Sequence, residues 1–365
     1  MSTALAVNRG RGSPEGQPRI RLMIVDDSMV ARAVLSRMIE SDDGFEIVAV
    51  AGTAEDAIEI LAKTRVDVVM LDLEMPGAGG LRSIPAILEA ARGAQVLIVS
   101  TLAEEGADAT VAALSMGAAD TLPKPGTGRF NGTFSEVLLG KLRTLGRSKF
   151  EPFTSPVDTP SRPAPAPRPM VDGPVRLLAL GASTGGIHAL GTFFHHLPER
   201  IGAPILVTQH LPEPFMPVFA RQLGVSARRE ALVAEDGLRL LPDRVVIAPG
   251  DASIAVDMSS GHLIVRLERE RSPSGCLPSV DPMLRSAGEM LGREALGVVF
   301  SGMGRDGLEG ARSLVASGGS VMVQDEASCA VWGMPRAVTE AGLPSAILPP
   351  KAIAERIADR IREAS

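Results

Sequence analysis

The chain has 365 residues, 45% hydrophobic and 22% charged, with a formal net charge of −6; this suits soluble globular domains and is long enough for two. Residues 1–148 carry a balance of −4 and residues 173–365 one of −2, so neither part has the basic footprint of a nucleic-acid binder. No apolar run reaches membrane-spanning length and the N-terminus lacks a signal-peptide core, so a cytoplasmic protein without membrane insertion is expected.

In chain order, residues 1–18 are Gly/Pro/Arg-rich and read as a disordered tail. Strand-like runs follow at 21–25, 45–51, 66–71, 94–100 and 119–123, with amphipathic segments at 29–40, 54–64, 81–91, 106–116 and 134–146. Five strands alternating with five helices predict a doubly wound parallel sheet, flavodoxin-like in order 2-1-3-4-5, over 19–147. Residues 150–174 hold eight of the 28 prolines; chain of this kind favours extended conformations, so 148–173 reads as a linker. A larger α/β parallel-sheet domain is predicted over 174–365. It runs strand 175–180, helix 187–197, strand 204–209 and helix 215–224. A small antiparallel excursion follows within 230–270, and then helix 282–292, strand 296–301, helix 307–317, strand 320–324 and helix 351–363.

In the first domain, Asp26 and Asp27 end the first strand and Asp72 the third, and these ends are adjacent in the expected order. Three converging carboxylates repel one another unless a cation binds, and hard oxygen ligands suit Mg²⁺. Ser100 ends the fourth strand and Lys124 follows the fifth, so a hydroxyl and an ammonium should face the same pocket. That set permits phosphoryl transfer to Asp72. With "VDD", "LDLEMP", "VS" and "KP" at these strand ends, residues 19–146 resemble a response-regulator receiver domain. Thr121 stands where the family commonly has an aromatic, which puts the usual aromatic switch in doubt. Ala78, Gly79 and Gly80 replace a usual Met-Asp-Gly, which loosens the loop.

In the second domain, "LLALGASTGGIHAL" (177–190) places Gly181, Ser183 and Gly185 as G-x-S-x-G in strand–turn–helix context. A phosphate cradle is the other reading of such a turn, but neither glycine-rich nucleotide motif is present. A serine nucleophile needs a base. Of five histidines, His188 could act only locally, His195 and His196 close a helix, and His262 belongs to a hairpin turn. His210 ends the next strand on the same sheet edge and is the expected base. Asp306, in "FSGMGRDG", is the preferred acid, with Asp325 its competitor. The backbone N–H groups of Met303 and Thr184 are the expected oxyanion donors. Ser301 and Cys329 are rival nucleophiles, expected instead to hydrogen-bond locally and to fill core. Cys276 and Cys329 lie 53 positions apart, outside metal-ligand spacing, and both are expected as reduced core thiols.

A receiver, a Pro-rich linker and then "GASTGG", "TQHLP", "FSGMGRDG" and "SCAVWGMP" together resemble the chemotaxis receptor methylesterase family, a response-regulator protein-glutamate methylesterase, over residues 19–365. The resemblance implies nucleophile Ser183, base His210, acid Asp306 and phosphoacceptor Asp72. It implies hydrolysis of γ-glutamyl methyl esters, and deamidation of glutamines, on methyl-accepting chemoreceptors. It also implies a histidine kinase as phosphodonor, Mg²⁺ for the receiver alone and no cofactor for the ester step; the expected state is a monomer. The alternative is a non-enzymatic response regulator whose second domain binds a ligand or partner through the "GASTGG" loop.

Overall fold

The computed structural model describes residues 18–75, 79–100, 104–124, 132–148 and 166–363. The expected tail up to residue 17, Ala78 of the altered loop and the linker between 149 and 165 lie outside these residues. The chain forms two compact units.

The N-terminal sheet and its helices comprise β1 (Ile20–Val25), α1 (Met29–Ile39), β2 (Phe45–Ala51), α2 (Ala54–Lys63), β3 (Val68–Leu71), α3 (Gly80–Ala90), β4 (Gln95–Ser100), α4 (Glu104–Met116), β5 (Asp120–Pro123) and α5 (Gly132–Arg147). The sheet order is β2-β1-β3-β4-β5, as the alternation predicted. β1 pairs in parallel with both β2 and β3, so the residues following β1 and β3 emerge side by side. β3 and β4 are buried at every position, which suits a parallel sheet covered on both faces. Ser28 and Thr53 start α1 and α2 by accepting from Ala31 N and Asp56 N, satisfying amides that the first helical turn leaves unpaired.

The second unit contains β6 (Leu177–Ala182), α6 (Gly186–His196), β7 (Ile205–Gln209), α7 (Met216–Ala227), β8 (Ala231–Val233), β9 (Val245–Ile247), β10 (Ser253–Ser259), β11 (His262–Glu268), α8 (Val280–Leu291), β12 (Ala295–Val299), α9 (Leu308–Ala316), β13 (Ser320–Gln324), α10 (Met334–Glu340), β14 (Ala346–Leu348) and α11 (Pro350–Glu363). Its seven-stranded sheet runs β14-β13-β12-β6-β7-β9-β8, and every pairing in it is parallel. β6 lies between β7 and β12, so the winding reverses there. Side chains following β6, β7 and β12 therefore share one edge, the crevice where ligands bind in such sheets. The core beside this edge includes Phe193, Phe194 and Phe300, fully buried, with Phe193 packed edge-to-face on both others at centroid distances of 5.3 Å.

The middle stretch differs in part from the sequence expectation. β10 and β11 form the predicted antiparallel hairpin, but β8 and β9 join the main sheet in parallel. "VVI" is a fully buried triplet, too short for periodicity to reveal its partner. α10 and β14 were not foreseen, for the same reason of length. The last part of the expected linker is hydrogen-bonded to the second unit. Arg168 N donates to Pro344 O at 2.8 Å, Val171 N to Ser320 Oγ at 3.1 Å, and Arg360 Nε to Gly173 O at 3.1 Å. Among the described residues, no helix is long and apolar enough to cross a membrane.

Candidate active site

Ser183 sits in the turn between β6 and α6. Its N–H donates to Ser301 O at 3.0 Å, and its carbonyl accepts from Gly186 N at 2.7 Å and Gln209 Nε2 at 3.0 Å. Two glycines make this turn possible. Gly185 has φ +76°, in the left-handed region. A Cβ at Gly302 would stand 2.3 Å from Met334 Sδ and 2.8 Å from Ser183 Cβ, so the loop after β12 can abut the serine only without a side chain.

Ala182 and Gln209 are register partners of β6 and β7, and His210 N donates to Ala182 O at 3.1 Å. Ser183 and His210 thus leave neighbouring strand ends together. The His210 ring keeps some solvent access, 18% of its side-chain area. Its Nε2 lies 2.8 Å from Asp306 Oδ2, which leaves Nδ1 as the nitrogen able to accept a proton. Among the described residues, no hydrogen bond joins the Ser183 hydroxyl to this ring.

Asp306 is 1% exposed and is held from several sides. Oδ1 accepts from Ser279 Oγ at 2.6 Å and Ser274 Oγ at 2.9 Å, and Oδ2 accepts from Val280 N at 2.7 Å as well as from His210. Ser279 and Val280 are the cap and first residue of α8, so the carboxylate lies at a helix N-terminus, where unpaired amides and the dipole favour an anion. Burial pushes its pKa up, but the His210, Ser279 and Val280 contacts outweigh this and hold it down at about 2.

The rival residues take other roles. Asp325 bonds the Ser328 hydroxyl and receives no bond from His210. Ser301 is fully buried, donating to Thr184 O at 2.7 Å and accepting from Val331 N at 3.1 Å. Cys329 is half-buried, and burial beside Asp325 and Glu326 pushes its thiol up to about 12, which suppresses thiolate chemistry. Among the described residues, no acceptor takes the Thr184 or Met303 N–H, and Met303 is exposed. Both cysteines depart from the expected core placement, since each is half-buried rather than core; Cys276 lies at the site, where its Sγ, a His210 ring nitrogen and an Asp306 oxygen all lie within 4.8 Å of one another.

Sequence reasoning missed Gln209, Ser274, Ser279 and Cys276. "PSVDP" carried a helix-cap signal in Ser279, but nothing in it showed that the cap would also grip a carboxylate 27 positions later.

In the first unit, Asp26, Asp27 and Asp72 bring one carboxylate oxygen each within 4.8 Å of one another, Asp26 and Asp72 buried and Asp27 exposed. Asp26 Oδ1 accepts from Ser28 N at 2.9 Å and Asp72 Oδ1 from Glu74 N at 3.1 Å. Three hard oxygen donors at this spacing fit a small divalent cation such as Mg²⁺. Ser100 Oγ is 2.7 Å from Thr110 Oγ1, and Lys124 N donates to Ser100 O at 2.8 Å. Thr121 is buried.

Asp281, beside Asp306 on α8, accepts from Gly310 N at 2.8 Å. Burial pushes its pKa up to about 6, with the Gly310 bond opposing and the Asp306 charge adding to the rise. A carboxyl that keeps its proton longer in the folded state favours folding at low pH, and that advantage is lost as pH rises from about 4 through about 6. Asp306 acts oppositely, its contribution being lost as pH falls from about 4 through about 2. Asp281→Asn, which can still accept from Gly310, should flatten the decline between pH 4 and 6 and stabilise the protein at pH 7 by about 1 kcal/mol, after discounting for solvent screening. Urea unfolding of both proteins across that range checks this.

Residues 178–357 match the family model described as CheB methylesterase, and residues 22–129 the one for the response regulator receiver domain. A protein-glutamate methylesterase/protein-glutamine glutaminase of Paramagnetospirillum magneticum is 39% identical, over 90% of this chain and 93% of that protein. One from Azospirillum brasilense is 38% identical, over 94% of this chain and 92% of that protein. The solved Thermotoga maritima CheB methylesterase catalytic domain is 33% identical and covers 51% of this chain and 98% of that one, with a TM-score of 0.49. The chain belongs to the CheB methylesterase family, with a response regulator receiver domain preceding the catalytic one.

Proposed function

We propose that this protein is a phosphorylation-controlled hydrolase that removes γ-glutamyl methyl esters, and deamidates glutamines, on chemoreceptors in the cytoplasm. The receiver would span 19–147, the linker 148–173 and the catalytic domain 174–365. The observation that carries the reading is the 2.8 Å bond from His210 Nε2 to the buried carboxylate of Asp306, on a ring whose backbone is tied to the residue before Ser183.

Ser183 is the nucleophile, His210 the base and Asp306 the acid. With substrate bound, Ser183 Oγ hydrogen-bonds His210 Nδ1 and gives it a proton as it attacks the side-chain carbonyl carbon; such bonds often tighten only in the complex. The oxyanion is stabilised by the Thr184 and Met303 N–H groups. His210 then passes the proton to the leaving group, releasing methanol or ammonia. Water activated by the same ring hydrolyses the acyl-enzyme to free glutamate. Asp306 holds the ring's orientation and stabilises its positive form.

A recess of about 510 Å³ next to Gly304 is lined by Arg305, Arg312, Arg336 and Trp332. Arg312 and Arg336 each pair with a neighbouring glutamate, so Arg305 is the cation best placed to attract an acidic segment, as a glutamate-bearing helix would supply.

In the receiver, Asp72 accepts the phosphoryl group from a histidine kinase. Asp26, Asp27 and Asp72 would hold Mg²⁺, which neutralises phosphoryl oxygens when bound. Lys124 adds positive charge, and Ser100 donates a hydrogen bond to the new phosphate.

Methanol release from methylated receptor should fall by about 10⁴-fold or more in Ser183→Ala, the scale on which a lost triad nucleophile acts; a variant retaining most activity rejects the mechanism. Asp72→Asn should keep basal release and lose stimulation by a small phosphodonor. Arg305→Glu should raise KM several-fold with little change in kcat, the signature of lost substrate attraction.

A further inference from the structure

Cys276 is the feature that the proposed reaction leaves unused. Its loop, between β11 and α8, brings a thiol to the place where His210 and Asp306 already meet. One atom from each of His210, Cys276 and Asp306 lies within 4.8 Å of the other two. The three come from three separate segments, and the cysteine is in no disulfide. His210 and Cys276 are only partly buried, so the cluster can be reached from solvent.

An imidazole nitrogen, a thiolate and a carboxylate oxygen form a donor set that Zn²⁺ takes with a water in the fourth position. Mg²⁺ and Ca²⁺ avoid the sulfur. The carboxylate is also oriented in advance by Ser274 and Ser279, which both donate to Oδ1 and leave Oδ2 facing the ring; partners of this kind raise affinity. Ligand atoms on a tetrahedral zinc stand about 3.3 Å apart for nitrogen and oxygen and about 3.5 Å for nitrogen and sulfur, from the usual bond lengths. The present 2.8 Å between Nε2 and Oδ2 must therefore widen by about half an ångström, and the thiol, already within 4.8 Å of both other atoms, must close by no more than about 1.3 Å. These are side-chain movements.

We propose that His210, Cys276 and Asp306 form a site for a thiophilic divalent cation of the zinc class, and that its occupancy switches the hydrolase off. The inhibitory half rests on the assignment of His210 as base. Binding forms metal bonds to Sγ, Nε2 and Oδ2. The thiol proton leaves to solvent, and the proton on Nε2 is exchanged through solvent for one on Nδ1, so the imidazole stays neutral. Nδ1 then carries hydrogen and cannot take the proton of Ser183. One proton is released per ion, and no oxidant or reductant is involved.

The experiment uses the full-length protein, reduced and freed of adventitious metal, with Mg²⁺ in excess to occupy the receiver carboxylates. Titration with Co²⁺ should give a thiolate-to-cobalt charge-transfer band that is absent in Cys276→Ser and retained in Cys329→Ser. Zinc affinity, by equilibrium dialysis, should fall at least about tenfold in Cys276→Ser and in His210→Ala, the scale on which a lost ligand or its support acts. Zn²⁺ should inhibit methanol release by wild type over the same concentrations at which it binds, and a chelator should reverse this. Cys276→Ser should keep its activity and lose the inhibition. No band in wild type, a band that survives in Cys276→Ser, or equal inhibition of the two proteins would overturn the proposal. A protein that binds cobalt through Cys276 but releases no methanol would reject the esterase reading and leave the metal site standing.

Discussion

The chemistry proposed for the catalytic unit depends on one buried carboxylate at one helix end. An ionised aspartate out of water is costly unless its lone pairs are filled and its charge is met. Asp306 meets both conditions. Ser279, Ser274 and Val280 N fill it, the N-terminus of α8 opposes its charge, and His210 takes the remaining direction. Because the carboxylate cannot readily turn, the ring bonded to it cannot either. The ring is thereby fixed beside the sheet edge where Ser183 leaves β6.

That edge is a product of winding. With β6 between β7 and β12, the chain leaves the sheet in opposite directions on either side of one strand, and the loops part to make a crevice. Gly302 then lets the loop after β12 come against Ser183. The same topological rule operates in the receiver, where β1 between β2 and β3 sets Asp26 and Asp27 beside Asp72. Two candidate sites of different make-up, one a cluster of three carboxylates and one a histidine–carboxylate pair, thus arise from parallel sheets that reverse their order.

The arrangement around Asp306 has a consequence in Asp281. A second carboxyl on the same helix end faces an environment already supplied with negative charge, and burial raises it to about 6. The helix N-terminus that favours one anion is not enough for two. Cys276 belongs to the same setting. Its thiol is pushed up by burial and by the Asp306 charge, which disfavours the thiolate beside the histidine.

Strand–helix alternation, the parallel order of the receiver, the motif turns at 181–186 and 301–307 and the placing of His210 at the strand end beside Ser183 were all legible in the residues, because apolar runs and glycine turns act over a few positions. β8 and β9 were assigned to the antiparallel excursion because a buried triplet such as "VVI" carries no period to read. Gln209, Ser274 and Ser279 went unseen because their partners lie across strands or 27 to 32 positions away. Linear spacing set Cys276 aside as a core thiol, since 53 positions from Cys329 it had no ligand partner in sequence. By itself the sequence determined which groups stand at the ends of which strands, since backbone periodicity and turn chemistry are local. Only the tertiary structure decided which carboxylate His210 bonds, what keeps that carboxylate charged, and that a thiol shares its pocket, since those depend on segments meeting in space.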